Sequence, residues 1–188
     1  MKKFFAMLLT LTMVLAIAGC GKTGLGSGWA SSDDSITVTD FDDGTHLYEG
    51  RIDSTMKTAW FDFTITDAYI TEDAIGGYTP SDGNVLVVVS LTLKNTFSES
   101  VPMSNWDFQL QWGDDADDAF SMPVETNEDL MDDQFPAEYS LKVNETKKGV
   151  LIFEAPEGED DFSISFIEYY EDDTEGDYFW VYFSADER

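Results

Sequence analysis

Apolar and polar residues alternate with a period of two along most of this chain. Phe61, Phe63 and Ile65 alternate with Asp62, Thr64 and Thr66. Val85, Val87, Val89, Leu91 and Leu93 share one face, and opposite them Leu86 and Val88 give way to Ser90, Thr92 and Lys94. Trp106, Phe108, Leu110 and Trp112 alternate with Asn105, Asp107, Gln109 and Gln111. Gly149 to Ala155 is a short apolar run, and the stretches 162–171 and 178–185 are rich in aromatic and β-branched residues. Successive side chains of a strand point to opposite faces, so each of these runs predicts a strand. Turn residues separate them: TPSDGN at 79–84, APEGEDD at 155–161, and DDTEGD at 172–177, where a hairpin is expected. A single short helix is expected at Glu125–Gln134, with Asn127 as a cap. Short strands without helices between them predict an all-β fold, an antiparallel sandwich of about seven to nine strands, filling one domain over residues 35–188.

The first residues change where that domain is expected to be. Lys2 and Lys3 precede an uncharged apolar stretch from Phe4 to Ile17, followed by Ala18, Gly19 and Cys20. This is the pattern of a secretory signal, too short to span a membrane stably. Ile17-Ala18-Gly19-Cys20 resembles the lipobox of bacterial lipoproteins. That resemblance implies a signal peptide over 1–19, cleavage after Gly19, and a lipidated Cys20, which is the only cysteine. Residues 20–34, rich in glycine and serine, read as a flexible tether. The expected location is the outer face of the cytoplasmic membrane, held through the N-terminal lipid. Two acyl chains suffice for stable anchoring, at about 0.8 kcal/mol per buried methylene.

Charge excludes some partners. Removal of Lys2 and Lys3, with no acid lost, takes the formal charge from −28 to −30. Such a surface repels nucleic acid and anionic lipid headgroups. Low hydrophobicity would signal disorder at this charge, but 43% of the residues are hydrophobic, enough for a packed core.

Two stretches carry a family resemblance. GNVLVVVSLTLKNTFSESVPMS (83–104) resembles a long central strand ending in an asparagine and a turn. LKVNETKKGVLIFEAPEG (141–158) resembles a later segment in which a polar turn precedes a glycine and a strand closed by a proline. Together they are similar to the immunoglobulin-like domain of uncharacterised Gram-positive lipoproteins, a family that resembles a secreted mycobacterial immunoprotective antigen in fold. The resemblance covers about residues 55–185. It implies that Asn95 ends its strand, that Gly149 starts the next and that Pro156 stops it. It implies fold and location, and brings no catalytic residue, cofactor or ligand.

Residue chemistry adds little to that. His46, the only histidine, lies beside Asp42 and Asp43, but no nucleophile-elbow pattern accompanies it. Zinc prefers Cys and His ligands, which are scarce here, and neither a metal nor a cofactor is expected. WGDDADDAF (112–120) carries Asp114, Asp115, Asp117 and Asp118. It departs from the EF-hand loop and reads as a hydrated hairpin turn between a strand ending at Trp112 and one starting at Ala119-Phe120, with a weak Ca²⁺ site as the alternative. The last strand is unusual in being large on both faces. Phe179, Val181 and Phe183 form one row, and Tyr178, Trp180 and Tyr182 the other. A half-buried strand alternates apolar with polar. The second row is therefore either packed beneath the chain near residues 35–50, with its polar tips reaching water, or an exposed platform for a glycan or peptide. The function expected is a non-enzymatic binding module. The alternatives are a cell-envelope hydrolase using a carboxylate pair and a structural or adhesive surface protein.

Overall fold

The structure is a computed structural model that describes residues 36–113, 119–172 and 174–188. The expected signal peptide and tether, Cys20 and the four aspartates of 114–118 lie outside the described residues. The described residues form thirteen strands: β1 (Thr37–Asp40), β2 (His46–Arg51), β3 (Thr55–Lys57), β4 (Phe61–Thr71), β5 (Asn84–Asn95), β6 (Val101–Ser104), β7 (Gln109–Trp112), β8 (Phe120–Ser121), β9 (Glu138–Leu141), β10 (Thr146–Pro156), β11 (Asp161–Tyr169), β12 (Glu175–Ser184) and β13 (Asp186–Glu187). The number exceeds the seven to nine expected because several strands are two to four residues long and leave no periodic signature.

Two sheets form the sandwich. The first runs β1-β2-β12-β11-β7-β8. The second runs β10-β5-β4-β13, with β3 also paired to β4, and β6 and β9 make a separate ribbon. Pairing is antiparallel except for β2 beside β12 and β4 beside β13. The first exception follows from the path of the chain: β2 leads into β3 and β4 of the second sheet, so its place in the first is beside a strand from the far end of the sequence.

The inward rows are the ones the alternation predicts. Phe61, Phe63 and Ile65 of β4 and Val87, Val89, Leu91 and Leu93 of β5 are buried. They meet Phe162, Ile164 and Phe166 of β11 and Phe179, Val181 and Phe183 of β12. Phe61 packs edge-on against Phe166 at 5.0 Å and Phe63 against Phe108 at 5.5 Å. Each buried phenylalanine contributes about 1.5–3 kcal/mol of transfer free energy, and edge-to-face pairs add about 0.5–1.5 kcal/mol.

The outward side of β5 is also apolar at one end. Leu86 and Val88, with Val150 and Ile152 of β10, form a second cluster completed by Leu130. The segment laid over it is the one expected to be a helix. It is not helical: residues 125–134 run as bends and turns. Its main chain is taken up by the neighbouring strand. The Val124 N–H donates to Ile152 O (2.7 Å), the Phe135 N–H to Val150 O (3.0 Å), and the Val150 N–H to Asp133 O (2.9 Å). The Gln134 side chain accepts from the Leu130 N–H at 2.7 Å. A short acidic helix has too few internal bonds to repay its nucleation, and the exposed edge of β10 offers these instead.

A second correction concerns residues 105–112. Asn105–Asp107 form a 3-10 turn, not the start of a strand. The Ser104 hydroxyl accepts from the Trp106 N–H (3.1 Å) and the Asp107 carboxylate from the Ser104 N–H (2.7 Å). This Ser-x-x-Asp box overrides the alternation, leaving Trp106 half exposed while Phe108 and Leu110 enter the core.

The family residues fall at defined places. Asn95 does end β5. It is buried, its amide donating to Glu99 O and Leu141 O and accepting from the Phe97 N–H. Pro156 does end β10. Gly149, by contrast, lies inside β10, which starts at Thr146. A Cβ there would stand 2.6 Å from Asp133 O and 2.9 Å from the Phe135 ring. The glycine is needed for the close approach of the covering segment, not for starting the strand.

Candidate functional site

Strand register assembles the outer face of the first sheet. Tyr178, Trp180 and Tyr182 of β12 stand opposite Ile167, Ser165 and Ser163 of β11. Ser165 and Ser163 stand opposite Gln109 and Gln111 of β7. On the other flank, Leu47, Glu49 and Arg51 of β2 complete the same rows. The two serines are short enough for the large side chains on either side to lean over them, and both are buried.

The Trp180 ring spans that serine floor. Its indole N–H donates to Gln111 Oε1 at 2.7 Å, and the Gln111 amide donates to Gln109 Oε1 at 3.2 Å. Tyr178 stacks beside it, with ring centroids 6.3 Å apart and planes 13° off parallel. Trp180 and Tyr182 remain half-exposed. Tyr178 is buried: Phe41 meets its ring edge-on at 5.9 Å, and its hydroxyl donates to Glu175 at 2.6 Å. The row is therefore divided. Tyr178 is covered by the chain near residue 41 and steadies Trp180 from the side. Trp180 and Tyr182 present surface.

Both tyrosines are held neutral. Burial, then the hydrogen bond to Glu49 (3.0 Å), pushes the Tyr182 pKa up to about 12. Burial and the bond to Glu175 push Tyr178 upward as well. The face thus offers a tryptophan ring, glutamine amides, neutral phenols and, on the β2 flank, Glu49 and Arg51, spread over an open sheet surface.

His46 belongs elsewhere. Its partners are Asp177 (Nδ1 to Oδ1, 2.9 Å) and Asp40 (3.6 Å), not Asp42 and Asp43. Asp177 also accepts the His46 N–H at 2.8 Å, so the pair fastens β2 to β12. Next to it, Glu168 is buried. Its carboxylate accepts the N–H groups of Ala59 (2.7 Å) and Asp177 (3.3 Å) and the Tyr170 hydroxyl (3.3 Å). A Cβ on Gly176 would stand 2.8 Å from that carboxylate and from the Tyr170 ring. Two main-chain donors from separate segments make this a clamp between the sheets. Among the described residues no three His, Cys, Asp or Glu side chains gather to hold a metal ion.

Sequence reasoning singled out the aromatic row but not its floor. Gln109, Gln111, Ser163 and Ser165 were legible only as the polar half of alternating strands. What joins them to Trp180 is the strand order β12-β11-β7, which no local pattern reveals.

A family model described as a domain of unknown function, DUF4352, matches residues 50–175. The chain belongs to that family. The match takes in the glutamines and serines of the floor and ends before Trp180 and Tyr182. Among solved structures, a secreted protein of Mycobacterium tuberculosis, MPT63, is similar at 12% identity and a TM-score of 0.51, over 70% of this chain and 95% of that one. The Bacillus subtilis protein ycdA, which carries a provisional lipoprotein description, is similar at 17% identity and a TM-score of 0.54, over 70% of this chain. The chain spans 38% of its length. No curated protein matches. These likenesses establish the sandwich, and with it the expected resemblance to immunoglobulin-like lipoprotein domains.

Proposed function

We propose that the protein is an extracytoplasmic lipoprotein, anchored through Cys20, whose DUF4352 domain binds a neutral glycan on the Trp180 face. The observation that carries this reading is the tryptophan ring laid over Ser163 and Ser165 with its N–H held by Gln111. A sugar presents C–H groups on one face and hydroxyls at its edge. An aromatic plane with glutamine amides on one flank and Glu49, Arg51 and the Tyr182 hydroxyl on the other meets both demands. Preorganisation adds to it, because the Tyr178 stack and the Gln109–Gln111 pair hold the ring before any ligand arrives. The lipobox-like run supports the location, as does the lipoprotein description of ycdA.

The test is a glycan and peptide array probed with the mature chain and with Trp180→Ala. Binding to neutral glycans that the variant abolishes is the expected result. The variant should lose less stability than the about 3–5 kcal/mol of a fully buried tryptophan. A loss of that full size without change in binding, or capture of peptides alone, overturns the reading.

A further inference from the structure

A small polar cavity lies where the segment covering β10 meets the 3-10 turn at Asn105. Its volume is about 60 Å³, and its polar lining is Glu125, Thr126, Glu128, Asp129, Gln134 and Asn105. Main-chain bonding brings the two elements together: the Asn105 N–H donates to Ala137 O at 3.2 Å, just past the end of the segment. Glu125, Glu128 and Asp129 are exposed, and among the described residues none of them is in an ion pair. No described Lys or Arg lines the cavity. Lys147 of β10 lies instead over the Phe135 and Tyr139 rings, at 5.9 and 5.6 Å.

Asn105 distinguishes this cavity from a hydrated acidic turn. The residue is 2% exposed. A buried amide ordinarily has its donors and its acceptor filled. Gln134 obeys that rule, accepting from the Leu130 N–H at 2.7 Å and donating to Val124 O at 3.3 Å. Asn105 does not. Its Oδ1 has only the Ser104 hydroxyl, at 3.5 Å, and the one proton of that hydroxyl goes to Ala137 O at 2.8 Å. Its Nδ2 has no partner among the described residues. Ser121 Oγ is the one described side-chain atom sealed from solvent without a partner. The Asn105 amide is therefore not sealed, and the space it opens to is the cavity it lines. A half-turn of the amide exchanges oxygen and nitrogen, so either can be presented there.

The lining selects the class of ligand. Three carboxylates without a base exclude an anion. The volume admits a small ion with a few waters, not a sugar or an aromatic ring. No three carboxylates converge closely enough to hold an ion by themselves. A shell of about six to eight oxygens would therefore be mixed, from carboxylates, Asn105 Oδ1 and water, which suits Ca²⁺. The scarcity of Cys and His, the ground for expecting no metal, does not bear on an all-oxygen shell.

We propose that the cavity between Asn105 and the covering segment is a Ca²⁺ site of about 10⁻⁴–10⁻³ M affinity, the range of extracellular modules. The ion fastens the segment to the turn at Asn105. The assignment rests on neither the anchor nor the glycan.

Hydrogen exchange of the mature chain reads that fastening directly. Ca²⁺ at about 10 mM, ten times a millimolar Kd, disfavours any opening that releases the ion by a factor of about 1 + [Ca²⁺]/Kd. The N–H groups of Val124 and Phe135 should therefore exchange about tenfold more slowly than in sodium chloride of matched ionic strength. Glu125→Gln/Glu128→Gln/Asp129→Asn should remove the protection. Glu157→Gln/Asp160→Asn/Glu171→Gln, which neutralises as many acids on two other loops, should keep it. Asn105→Asp, which adds a carboxylate to the shell, should deepen it. Unchanged exchange in the wild-type chain makes the cavity a water-filled gap and overturns the proposal. Equal loss of protection in the two triple variants also overturns it, because diffuse attraction to a chain of formal charge −28 then accounts for the effect. So does wild-type protection in Asn105→Asp, which would take the amide out of the site.

Discussion

Glu154 shows how one carboxylate can be read against its surroundings. Burial works to raise its pKa, but the donors Tyr78, Asn84 and Ser81 together overcome that and hold it below the usual value. The Asn84 amide donates at 2.8 Å and the Ser81 N–H at 3.3 Å, while the Tyr78 hydroxyl makes a short bond. That bond, ahead of burial, pushes Tyr78 up to about 12. The signs are opposite at the two ends of the pH scale. A carboxylate whose folded pKa is depressed stabilises the fold above its unfolded value, and the contribution is lost as pH falls through the folded one. A phenol whose folded pKa is raised stabilises below about 10, and the contribution is lost between 10 and 12. Thermal melts across pH should therefore show an acid limb and an alkaline limb to which this pair contributes. Tyr78→Phe should shallow both limbs, the alkaline one only in part because Tyr178 and Tyr182 are raised as well; unchanged limbs would remove the pair from the account. None of this was visible in sequence, because Tyr78 and Glu154 lie 76 positions apart.

Strands were the legible elements, and the reason is physical. Where both ends of a row reach one core, as in Val85 to Leu93 or Phe179 to Phe183, alternation states the burial directly. Legibility failed where main-chain bonding, not side-chain partition, decided the structure. The covering segment 123–135 is acidic and carries few apolar anchors, so its lack of helix follows from the edge of β10, a distant element. Asn105–Asp107 failed in the opposite sense: a capping box sat inside an alternating run. The aromatic row was legible as an anomaly, but its division into a covered Tyr178 and a presented Trp180 depended on where Phe41 came to rest. Gly149 gives the covering segment a test. A methyl group there collides with main-chain oxygen, not with the tip of a flexible side chain. Gly149→Ala should cost about 1–3 kcal/mol, the usual penalty of overpacking. Hydrogen exchange should quicken at the N–H groups of Val124 and Phe135 well before it quickens in β4. If β4 and the covering segment loosen together, the segment is not a separable layer.

At the scale of the molecule, what the outer face of the first sheet can reach depends on attachment. Cys20→Ala should release the protein from the membrane fraction or leave it as an unprocessed precursor. A variant that fractionates and migrates like wild type would remove the anchor. The parallel pairing of β2 with β12 has a further consequence, for the order of assembly. His46 and Asp177 meet across 131 positions of sequence, so the larger sheet cannot close until nearly the whole chain is available. Non-local pairing of this kind folds slowly. In a chain threaded through a translocation channel from its N-terminus, β1 and β2 emerge first and wait for β12. The topology keeps the leading end unfolded while the rest is still crossing, and makes arrival of the C-terminal hairpin the event that completes the domain.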